Sequence, residues 1–346
     1  MALVFMDGFD YYSDDQHDDL RGKWFVNTSG TGIHAVTGRD GAGKALALVT
    51  NTNDHVFRGF PDLTTYYIGF GFKAVTLPTG TRGILETYNL HEITSGNIFL
   101  RITTSGQINI NRGGLGSLAT SVATLSADTW YYIEMRVTVA NSGGRVEVRV
   151  DGDITDWIDF TGDTNNFARL NVANAVRLIA FSDGGDCIYD DFILMDTTGS
   201  RLNGFQGDLK IETIYPDGVG NDSAWTPSAG ANWEAVNEVI PNDDTDYVEA
   251  TAAATEDRHT FADLVSVPAT VHAVAVNVYA KRTEVGARAI RALAFDGTTE
   301  GQGADKFPTY EEYKWHQHIF EDHPSSAAVW TGSEVDSGEF GYRIQT

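Results

Sequence analysis

Alternation of hydrophobic and polar residues is clearest between Trp130 and Asp153. Every second position is apolar on both sides of a turn at 141–144, namely Ile133, Met135, Val137, Val139, Val146, Val148 and Val150. The positions between them are mostly charged. A period of two with one apolar side is typical of a sheet that has one buried and one solvated face. The segment therefore predicts an antiparallel hairpin.

Shorter segments of the same character predict the other elements. Strands are predicted at 45–49, 66–74, 83–90, 98–103, 107–111, 176–182 and 188–195, and then at 210–215, 246–250, 271–280, 287–295, 313–320 and 340–344. The segment 287–295 also suits a helix, but Asp296-Gly297 directly after it favours a strand. A short helix is predicted at 309–314 or at 333–339. We therefore predict an all-β chain of two antiparallel β-sandwich domains, the first a concanavalin A-like jelly roll.

Length and glycine content fit this architecture. The chain has 346 residues, enough for two domains with separate cores, and its 36 glycines suit tight turns between strands. A small polar stretch with two glycines near 196–204 marks the boundary. We predict a first domain at 1–197, a linker at 198–205 and a second β-rich domain at 206–346.

Charge and cysteine content exclude several classes of protein. There are 14 basic and 24 acidic residues up to 199, and 10 and 24 after it, so both halves are acidic, by −10 and −14. Phosphate binding needs clustered Lys and Arg, so no nucleic-acid partner is expected. Cys187 is the single cysteine and allows no intrachain disulfide. No signal peptide and no apolar run of membrane-spanning length is recognised, so synthesis in a cytoplasm without membrane insertion is expected.

One glycine-rich segment nearly matches a phosphate-binding loop. Gly38 to Lys44 fits G-x-x-x-x-G-K, but Ala45 stands where the magnesium-binding hydroxyl is required. A strand follows rather than a helix. The segment is therefore interpreted as a turn that leads into a β-strand.

Acidic and histidine groups give weak candidates for a metal site. Carboxylates crowd 14–19 together with His17, and a second group consists of Asp183, Asp186, Asp190 and Asp191. Calcium prefers such oxygen ligands, but neither group has the spacing of a calcium loop. His316 and His318 share one face of a predicted strand, with His323 nearby, as zinc ligands could. Solvated acidic loops and a polar strand face are the alternatives, and no cofactor is expected.

The predicted sandwich has no recognisable catalytic motif and few candidate binding residues. No carboxylate alternation of a sandwich glycosidase and no nucleophile elbow occurs, so the chain is predicted not to be an enzyme. Trp157, after the Asp151-Gly152 turn, and Tyr131 are the candidate glycan contacts, because an exposed aromatic ring can stack on a sugar. Core or interface packing is the alternative for most of the aromatic residues.

Three segments together resemble concanavalin A-like (laminin G-like) sandwiches. These are the hairpin at 130–153, Gly41-Ala-Gly-Lys-Ala-Leu46 and Ile188-Tyr-Asp-Asp-Phe-Ile193. The resemblance covers residues 1–197. Proteins of this fold bind glycans, bind proteins or serve as structural modules, so the fold does not choose a function.

The whole chain is, in addition, similar to structural proteins of tailed bacteriophage particles. The matching segments are Asp7-Gly-Phe-Asp-Tyr-Tyr12, Tyr189-Asp-Asp-Phe-Ile193 through Asp196-Thr-Thr-Gly-Ser200, Gly207-Asp-Leu-Lys-Ile-Glu-Thr-Ile-Tyr-Pro216, Trp225-Thr-Pro227, Asp244-Thr-Asp-Tyr-Val248, Ala328-Val-Trp-Thr-Gly332 and Gly338-Glu-Phe-Gly341. This resemblance implies a virion location, in the tail or fibre or as a head decoration, with no catalytic residues to carry over.

The expectation is therefore a non-enzymatic structural component of a phage particle, made in the host cytoplasm. It would assemble as a homo-oligomer, a trimer or a ring, with other virion proteins. A glycan-binding module that recognises a host surface receptor is the first alternative. A polysaccharide hydrolase is the second.

Overall fold

The computed structural model describes residues 2–13, 20, 22–27, 32–49, 54–92, 96–113, 115–166 and 170–345. Strands hold 48% of the residues and helices 4%, which confirms the all-β fold class. The chain divides into two compact units, Met1–Asp18 with Trp24–Ile211, and Asp19–Lys23 with Glu212–Thr346. The first unit thus extends past the predicted boundary at 197.

The first unit is a sandwich of two antiparallel sheets. Its strands are β1 (Leu3–Asp7), β2 (Phe25–Asn27), β3 (Ile33–Thr37), β4 (Lys44–Leu48), β5 (His55–Leu63), β6 (Thr65–Ala74), β7 (Arg82–Tyr88), β8 (Ile98–Ile102), β9 (Gln107–Arg112), β10 (Ser117–Thr124), β11 (Tyr131–Thr138), β12 (Gly144–Val150), β13 (Ile158–Gly162), β14 (Ala173–Ile179) and β15 (Cys187–Met195). The eight-stranded sheet has the order β13-β12-β11-β6-β15-β4-β3, with β1 also on β15. The seven-stranded sheet has the order β10-β9-β8-β7-β14-β5-β2.

The core of this unit lies between the two sheets. The predicted hairpin is present as β11 and β12, with Ile133 opposite Val150, and both side chains are buried. Two tyrosines of the eight-stranded sheet reach across the core. Tyr66 donates to Oγ1 of Thr87 at 2.8 Å, and Tyr189 donates to the carbonyl oxygen of Ile84 at 2.7 Å. A buried hydroxyl without a hydrogen-bond partner would destabilise the folded state, and these two hydrogen bonds remove that cost.

The N-terminal segment is held by one buried carboxylate. Asp7 accepts hydrogen bonds from the hydroxyls of Tyr11 and Tyr12, each at 2.6 Å, and from Nε1 of Trp24 at 2.7 Å. The backbone N–H of Phe9 donates to it at 3.2 Å. The Asp7–Tyr12 sequence thus forms a compact anchor around a carboxylate that is 1% exposed.

The second unit contains a five-stranded, a three-stranded and a two-stranded sheet. Its elements are β16 (Pro216–Ser223), β17 (Thr226–Pro227), β18 (Val248–Glu249), β19 (Glu256–Phe261), β20 (Val274–Arg282), β21 (Ile290–Phe295), β22 (Glu300–Gln302), β23 (Thr309–Tyr310), β24 (Lys314–Phe320), α1 (Gly332–Asp336) and β25 (Glu339–Ile344). The sheet orders are β16-β19-β25-β21-β22, β23-β20-β24 and β17-β18. Val276, Ala292, Phe320, Trp330 and Phe340 share its core.

Several sequence predictions need correction here. Residues 210–215 form no strand, although their apolar alternation suggested one. The pair β20–β23 is parallel, so this unit is not purely antiparallel. The short helix lies at Gly332–Asp336, and 309–310 belong to a strand. Among the described residues, no helix has the length and apolar character that a membrane crossing requires.

Candidate functional site

The two predicted glycan contacts lie on either side of one strand. Tyr131 is the first residue of β11, and its hydroxyl accepts a hydrogen bond from the N–H of Ser126 at 3.0 Å. Trp157 precedes β13 and is half-buried, and its N–H donates to the carbonyl oxygen of Val148 at 2.8 Å. Strand β12 separates β11 from β13. The structure therefore does not join the two residues into one platform.

The aspartates predicted as metal ligands serve contacts within the protein. Asp183 accepts from Nη2 of Arg82 at 2.5 Å, and this hydrogen bond lowers the pKa of the carboxyl. Asp186 is half-buried in the turn before β15. Asp190 lies on β15 and accepts from the N–H of Arg39 at 2.7 Å. Asp183 and Asp190 thus have separate partners.

The two candidate histidines of β24 face the core of the second unit. His318 lies opposite Val276, a member of that core, and His316 lies two residues before it on the same face. Burial lowers the pKa of His316 to about 4 and also lowers the pKa of His318. Nδ1 of His323 is 3.7 Å from Oδ2 of Asp296. The described ranges contain no group of three or more His, Cys, Asp or Glu side chains placed to hold a metal ion. The predicted acidic group at 14–19 lies outside the described residues.

The outer face of the eight-stranded sheet is covered by the chain itself. Residues 202–211, which we call the strap, run across this face. Glu134 accepts hydrogen bonds from the N–H groups of Gln206 at 2.7 Å and of Gly207 at 3.0 Å. Burial raises the pKa of Glu134, and these two hydrogen bonds oppose the rise. The face that the hairpin pattern predicted to be solvated is therefore partly buried, with Glu134 only 3% exposed.

Phe205 packs the strap against the outer face of the eight-stranded sheet. The ring of Phe205 packs edge-on against Tyr67, with centroids 5.4 Å apart. The guanidinium of Arg149 lies 4.1 Å from the centroid of the same ring. Such contacts favour a fixed position for this segment.

Arg39, from the glycine-rich turn, fastens the far end of the strap. Its Nε donates to Asp191 at 2.7 Å and its Nη1 donates to Asp208 at 2.5 Å, while its Nη2 donates to the carbonyl oxygen of Leu209. The guanidinium carbon is 5.2 Å from the ring centroid of Tyr132. A turn that resembled a phosphate loop thus has a structural role, and its Arg side chain is 10% exposed.

Two adjacent carboxyls share this buried region. Asp190 accepts from the N–H of Arg39 at 2.7 Å and from that of Asp191 at 2.8 Å. Burial raises the pKa of Asp190 to about 8, with a further contribution from the nearby Asp191. Burial also raises the pKa of Asp191, and Arg39 opposes that rise.

The outer face of the seven-stranded sheet carries a different set of side chains. The rings of Phe25 and Phe57 have centroids 6.3 Å apart, and those of Phe57 and Tyr88 are 6.4 Å apart. These residues lie on β2, β5 and β7, with β14 between the last two. Ala175 on β14 faces both Tyr88 and Gly59, and its small side chain leaves room for the two larger rings to meet.

Charged and aromatic residues continue this face along the sheet. Phe57, Arg177, Glu86 and Phe99 lie opposite one another in one row across β5, β14, β7 and β8. Arg101 lies two residues beyond Phe99 on the same side of β8. We call this surface the aromatic face and define it by six side chains: Phe25, Phe57, Tyr88, Phe99, Arg101 and Arg177.

A buried glutamate sits at the centre of the aromatic face. Glu86 accepts hydrogen bonds from the hydroxyl of Tyr88 and from Nη2 of Arg177. Burial raises the pKa of Glu86. Arg177, Tyr88 and Arg101 each lower it, but the pKa remains above its usual value. Burial and the neighbouring Glu86 raise the pKa of Tyr88. The cluster holds a carboxyl whose proton affinity is above its usual range.

A second carboxyl, that of Asp62, lies near the end of β5 beside the start of β14, and its pKa is lowered instead of raised. Asp62 accepts from Nδ2 of Asn174 at 2.9 Å, and Nε2 of His91 is 3.1 Å away. The hydrogen bond from Asn174 lowers the pKa of Asp62, and His91 lowers it further. Glu86 on β7 and Asp62 on β5, with β14 between these strands, thus have pKa values shifted in opposite directions.

The aromatic face is not apparent from the sequence because its residues come from five separate strands. The available signal lay in 98–102, where Ile98, Leu100 and Ile102 alternate with Phe99 and Arg101. A phenylalanine at a position that the period of two assigns to solvent is a candidate binding residue. Phe57 gave no such signal, because no strand is predicted at 55–63.

Comparison with known proteins gives only distant matches. No protein family matches the chain, and no curated protein matches it. Among solved structures it is similar to an endo-β-1,4-glucuronan lyase from the fungus Trichoderma reesei, with 14% identity, a TM-score of 0.40 and coverage of 53% of this chain and 94% of that one. Alginate lyase Aly36B matches with 13% identity, a TM-score of 0.37 and coverage of 56% and 96%. Domain 4 of AbnA, an extracellular arabinanase from Geobacillus stearothermophilus, matches with 15% identity and a TM-score of 0.39, and the match covers 56% of this chain and 92% of that one.

These structures overturn one prediction made from the sequence. The prediction that the chain is not an enzyme relied on a sandwich that lacks glycosidase signatures. The similar solved structures include polysaccharide lyases, so the absence of those signatures does not support a non-enzymatic chain, and the prediction is corrected. At these identities the similarity itself extends to the fold alone.

Proposed function

We propose that the first unit binds an extended polysaccharide across the aromatic face. The observation that carries the proposal is the continuous line of rings formed by Phe25, Phe57 and Tyr88. A sugar ring offers an apolar C–H face that packs on aromatic rings, and its hydroxyls pair with polar side chains beside them. Phe25 is 71% exposed, which is unusual for a phenylalanine without a partner to cover it.

The extent of the ring line suits a polymer. It crosses β2, β5, β14 and β7, and with strands about 4.8 Å apart this amounts to roughly 14 Å. More than one sugar unit can therefore contact the face at once. The outer face of the other sheet is partly occupied by the strap, which favours the seven-stranded sheet as the binding surface.

The resemblance to phage virion proteins gives this binding a setting. In a virion, such a face would recognise a glycan on the surface of the host, and repeated copies in a trimer or ring would strengthen binding through multivalency. The virion location and the homo-oligomer are part of this proposal. Sedimentation of the purified chain tests the oligomer.

Substitution of the most exposed ring tests the proposal. We expect Phe25→Ala and Phe57→Ala each to weaken binding to a polysaccharide by about tenfold, which corresponds to about 1.4 kcal/mol. Binding is measured by affinity electrophoresis through gels that contain plant, algal or bacterial polysaccharides, followed by calorimetry with oligosaccharides.

Matched variants separate this face from other aromatic surfaces. Phe307 is 63% exposed and lies in the second unit, so Phe307→Ala removes a similar ring elsewhere. Trp157→Ala tests the contact predicted from sequence. Wild-type binding by Phe25→Ala and Phe57→Ala, together with a loss in Trp157→Ala, would refute the aromatic face as the site.

A polysaccharide hydrolase is the second candidate function. It is favoured by two carboxyls in different surroundings. Glu86 is buried and accepts hydrogen bonds from Tyr88 and Arg177, whereas Asp62 accepts from Asn174 near the end of β5, and these surroundings shift their pKa values in opposite directions. Glycoside hydrolysis uses one protonated acid and one ionised carboxylate. We expect Glu86→Gln and Asp62→Asn each to abolish the release of reducing ends while retaining binding. Cleavage that is unchanged in both variants would exclude these carboxyls.

A further inference from the structure

We propose that the polysaccharide bound on the aromatic face is acidic and that Arg101 holds a sugar carboxylate. This inference rests on the proposed function and adds the chemical class of the ligand. It is carried by three observations on β7, β8 and β9, next to the line of rings.

The first observation concerns the hydrogen bonds and ion pairs of Arg101. Its Nη2 donates to the carbonyl oxygen of Thr81 at 2.9 Å. Within the described residues, the ion pairs of the chain do not include Arg101, whereas Arg177 pairs with Glu86 and Arg82 pairs with Asp183. Arg101 is close enough to Glu86 to lower the pKa of that carboxyl, but Glu86 accepts its hydrogen bonds from Tyr88 and Arg177, so within the described residues the guanidinium of Arg101 keeps donors for a ligand carboxylate.

The second observation is the space beside this arginine. Arg101 lies opposite Gly83 on β7. A Cβ at Gly83 would meet only Cδ1 of Ile179, at 3.6 Å, within the described part of the chain. The side-chain position above Gly83 is therefore open. A carboxylate placed there can accept paired hydrogen bonds from the planar guanidinium.

The third observation is an unused acceptor on the adjacent strand. Asn111 on β9 lies opposite Phe99, and its Oδ1 is buried with no hydrogen-bond donor among the described residues. Asn111 as a whole is half-buried, so a rotation of its amide brings this oxygen within reach of a sugar hydroxyl. Phe99, Arg101 and Asn111 together offer a ring, a cation and an amide, which suit the C–H face, the carboxylate and a hydroxyl of one uronic acid unit.

The net charge of the whole chain bears on how an acidic ligand could bind. A net charge of −24 repels polyanions at long range. Binding of an acidic polymer must therefore come from local contacts of Arg101 and the rings. Polyglutamate, which has carboxylates but no sugar rings, is then expected not to bind.

The test compares two probes that differ only in charge. Oligogalacturonates and their methyl-esterified counterparts are titrated into the full-length chain by calorimetry. We expect the acidic form to bind at least about tenfold more tightly, because a hydrogen bond to a charged group contributes that much or more. Binding of the acidic form should weaken as salt is raised.

Variants assign this preference to Arg101. Arg101→Met should remove the preference for the acidic probe, and Arg101→Lys should restore part of it. Gly83→Ala should bind normally, whereas Gly83→Leu should block the open position. Arg288→Met, which removes an exposed arginine in the second unit, is the matched control for charge and should change nothing.

The outcomes separate this inference from the proposed function. Equal binding of both probes, lost in Phe25→Ala, would overturn the acidic ligand and leave the polysaccharide face in place. A preference for the acidic probe that persists in Arg101→Met would overturn the role of Arg101. Absence of binding to both probes and to the whole polysaccharide panel would overturn both.

Discussion

The Nε of Arg39 lies 2.7 Å from Oδ2 of Asp191, and this ion pair joins the glycine-rich turn before β4 to the last strand of the first unit. The same guanidinium reaches Asp208 in the strap. One side chain thus connects three segments that are distant in sequence. Its position explains why the outer face of the eight-stranded sheet is covered.

Removal of this guanidinium should destabilise the first unit. We expect Arg39→Met to lower the free energy of unfolding by about 3–5 kcal/mol, because it leaves the buried carboxyl of Asp191 without its cation. Arg39→Lys should be intermediate, since an ammonium cannot make all three contacts. Urea unfolding followed by tryptophan fluorescence measures the change.

Detachment of the strap should accompany this loss. Limited proteolysis within 203–211 should be faster in Arg39→Met than in the wild type. Arg145→Met breaks the exposed pair with Asp159 and one of the two ion pairs of Glu147, which keeps its pair with Arg136, and should cost about 1 kcal/mol or less. Equal stability of the two variants would contradict the role given to Arg39.

The raised pKa of Asp190 makes a prediction about pH. The folded state keeps a proton on this carboxyl up to about pH 8, whereas the unfolded chain releases it near pH 4. Between these values the folded state binds more protons, so the free energy of unfolding should fall as pH rises, by at most about 1.4 kcal/mol per pH unit for this group.

The Asp190→Asn variant isolates this effect from other titrating groups. Its free energy of unfolding, measured in urea from pH 4 to pH 8, should decline less steeply than that of the wild type. The two curves should diverge most toward pH 8. Parallel curves would show that Asp190 is ionised in the folded protein across this range.

The anchor around Asp7 should be sensitive to loss of its carboxylate. Asp7→Ala leaves the hydroxyls of Tyr11 and Tyr12 and the indole N–H of Trp24 without their shared acceptor, and should cost about 3 kcal/mol or more. Differential scanning calorimetry would show the loss as a lower Tm. Asp159→Ala is the exposed control and should shift Tm little.

Cys187 should be protected from thiol reagents in the folded chain. Its side chain is 0% exposed, and burial raises the pKa of the thiol, so little thiolate forms. At pH 8 we expect no labelling by a disulfide reagent until urea unfolds the first unit. Ser105→Cys, at an exposed turn, provides a rapidly labelled control, and rapid labelling of the wild type would contradict the burial of Cys187.

The period-two pattern was sufficient to predict most strands of the first unit. Ile133, Met135 and Val137 are buried as the alternation requires, because a strand places successive side chains on opposite faces. The same reasoning failed at 210–215. There Ile211 alternates with polar residues, but its N–H donates to Asp191 rather than to a neighbouring strand.

The polar strand β16 shows the complementary limit. Its sequence, Pro216-Asp-Gly-Val-Gly-Asn-Asp-Ser223, has no apolar alternation and gave no strand prediction. It lies at the edge of the five-stranded sheet, paired with β19 alone in that sheet order. An edge strand needs little burial, so its place is decided by the partner it pairs with.

The sequence by itself determined the all-β class, the main hairpin and the acidic character of the chain, since these follow from local alternation and composition. Only the tertiary structure decided which sheet face is covered and which residues meet. Phe25, Phe57, Tyr88 and Arg101 become neighbours through the order and register of separate strands, and Glu134 becomes buried through the strap. Register depends on pairings between distant segments, and a local pattern carries no record of them.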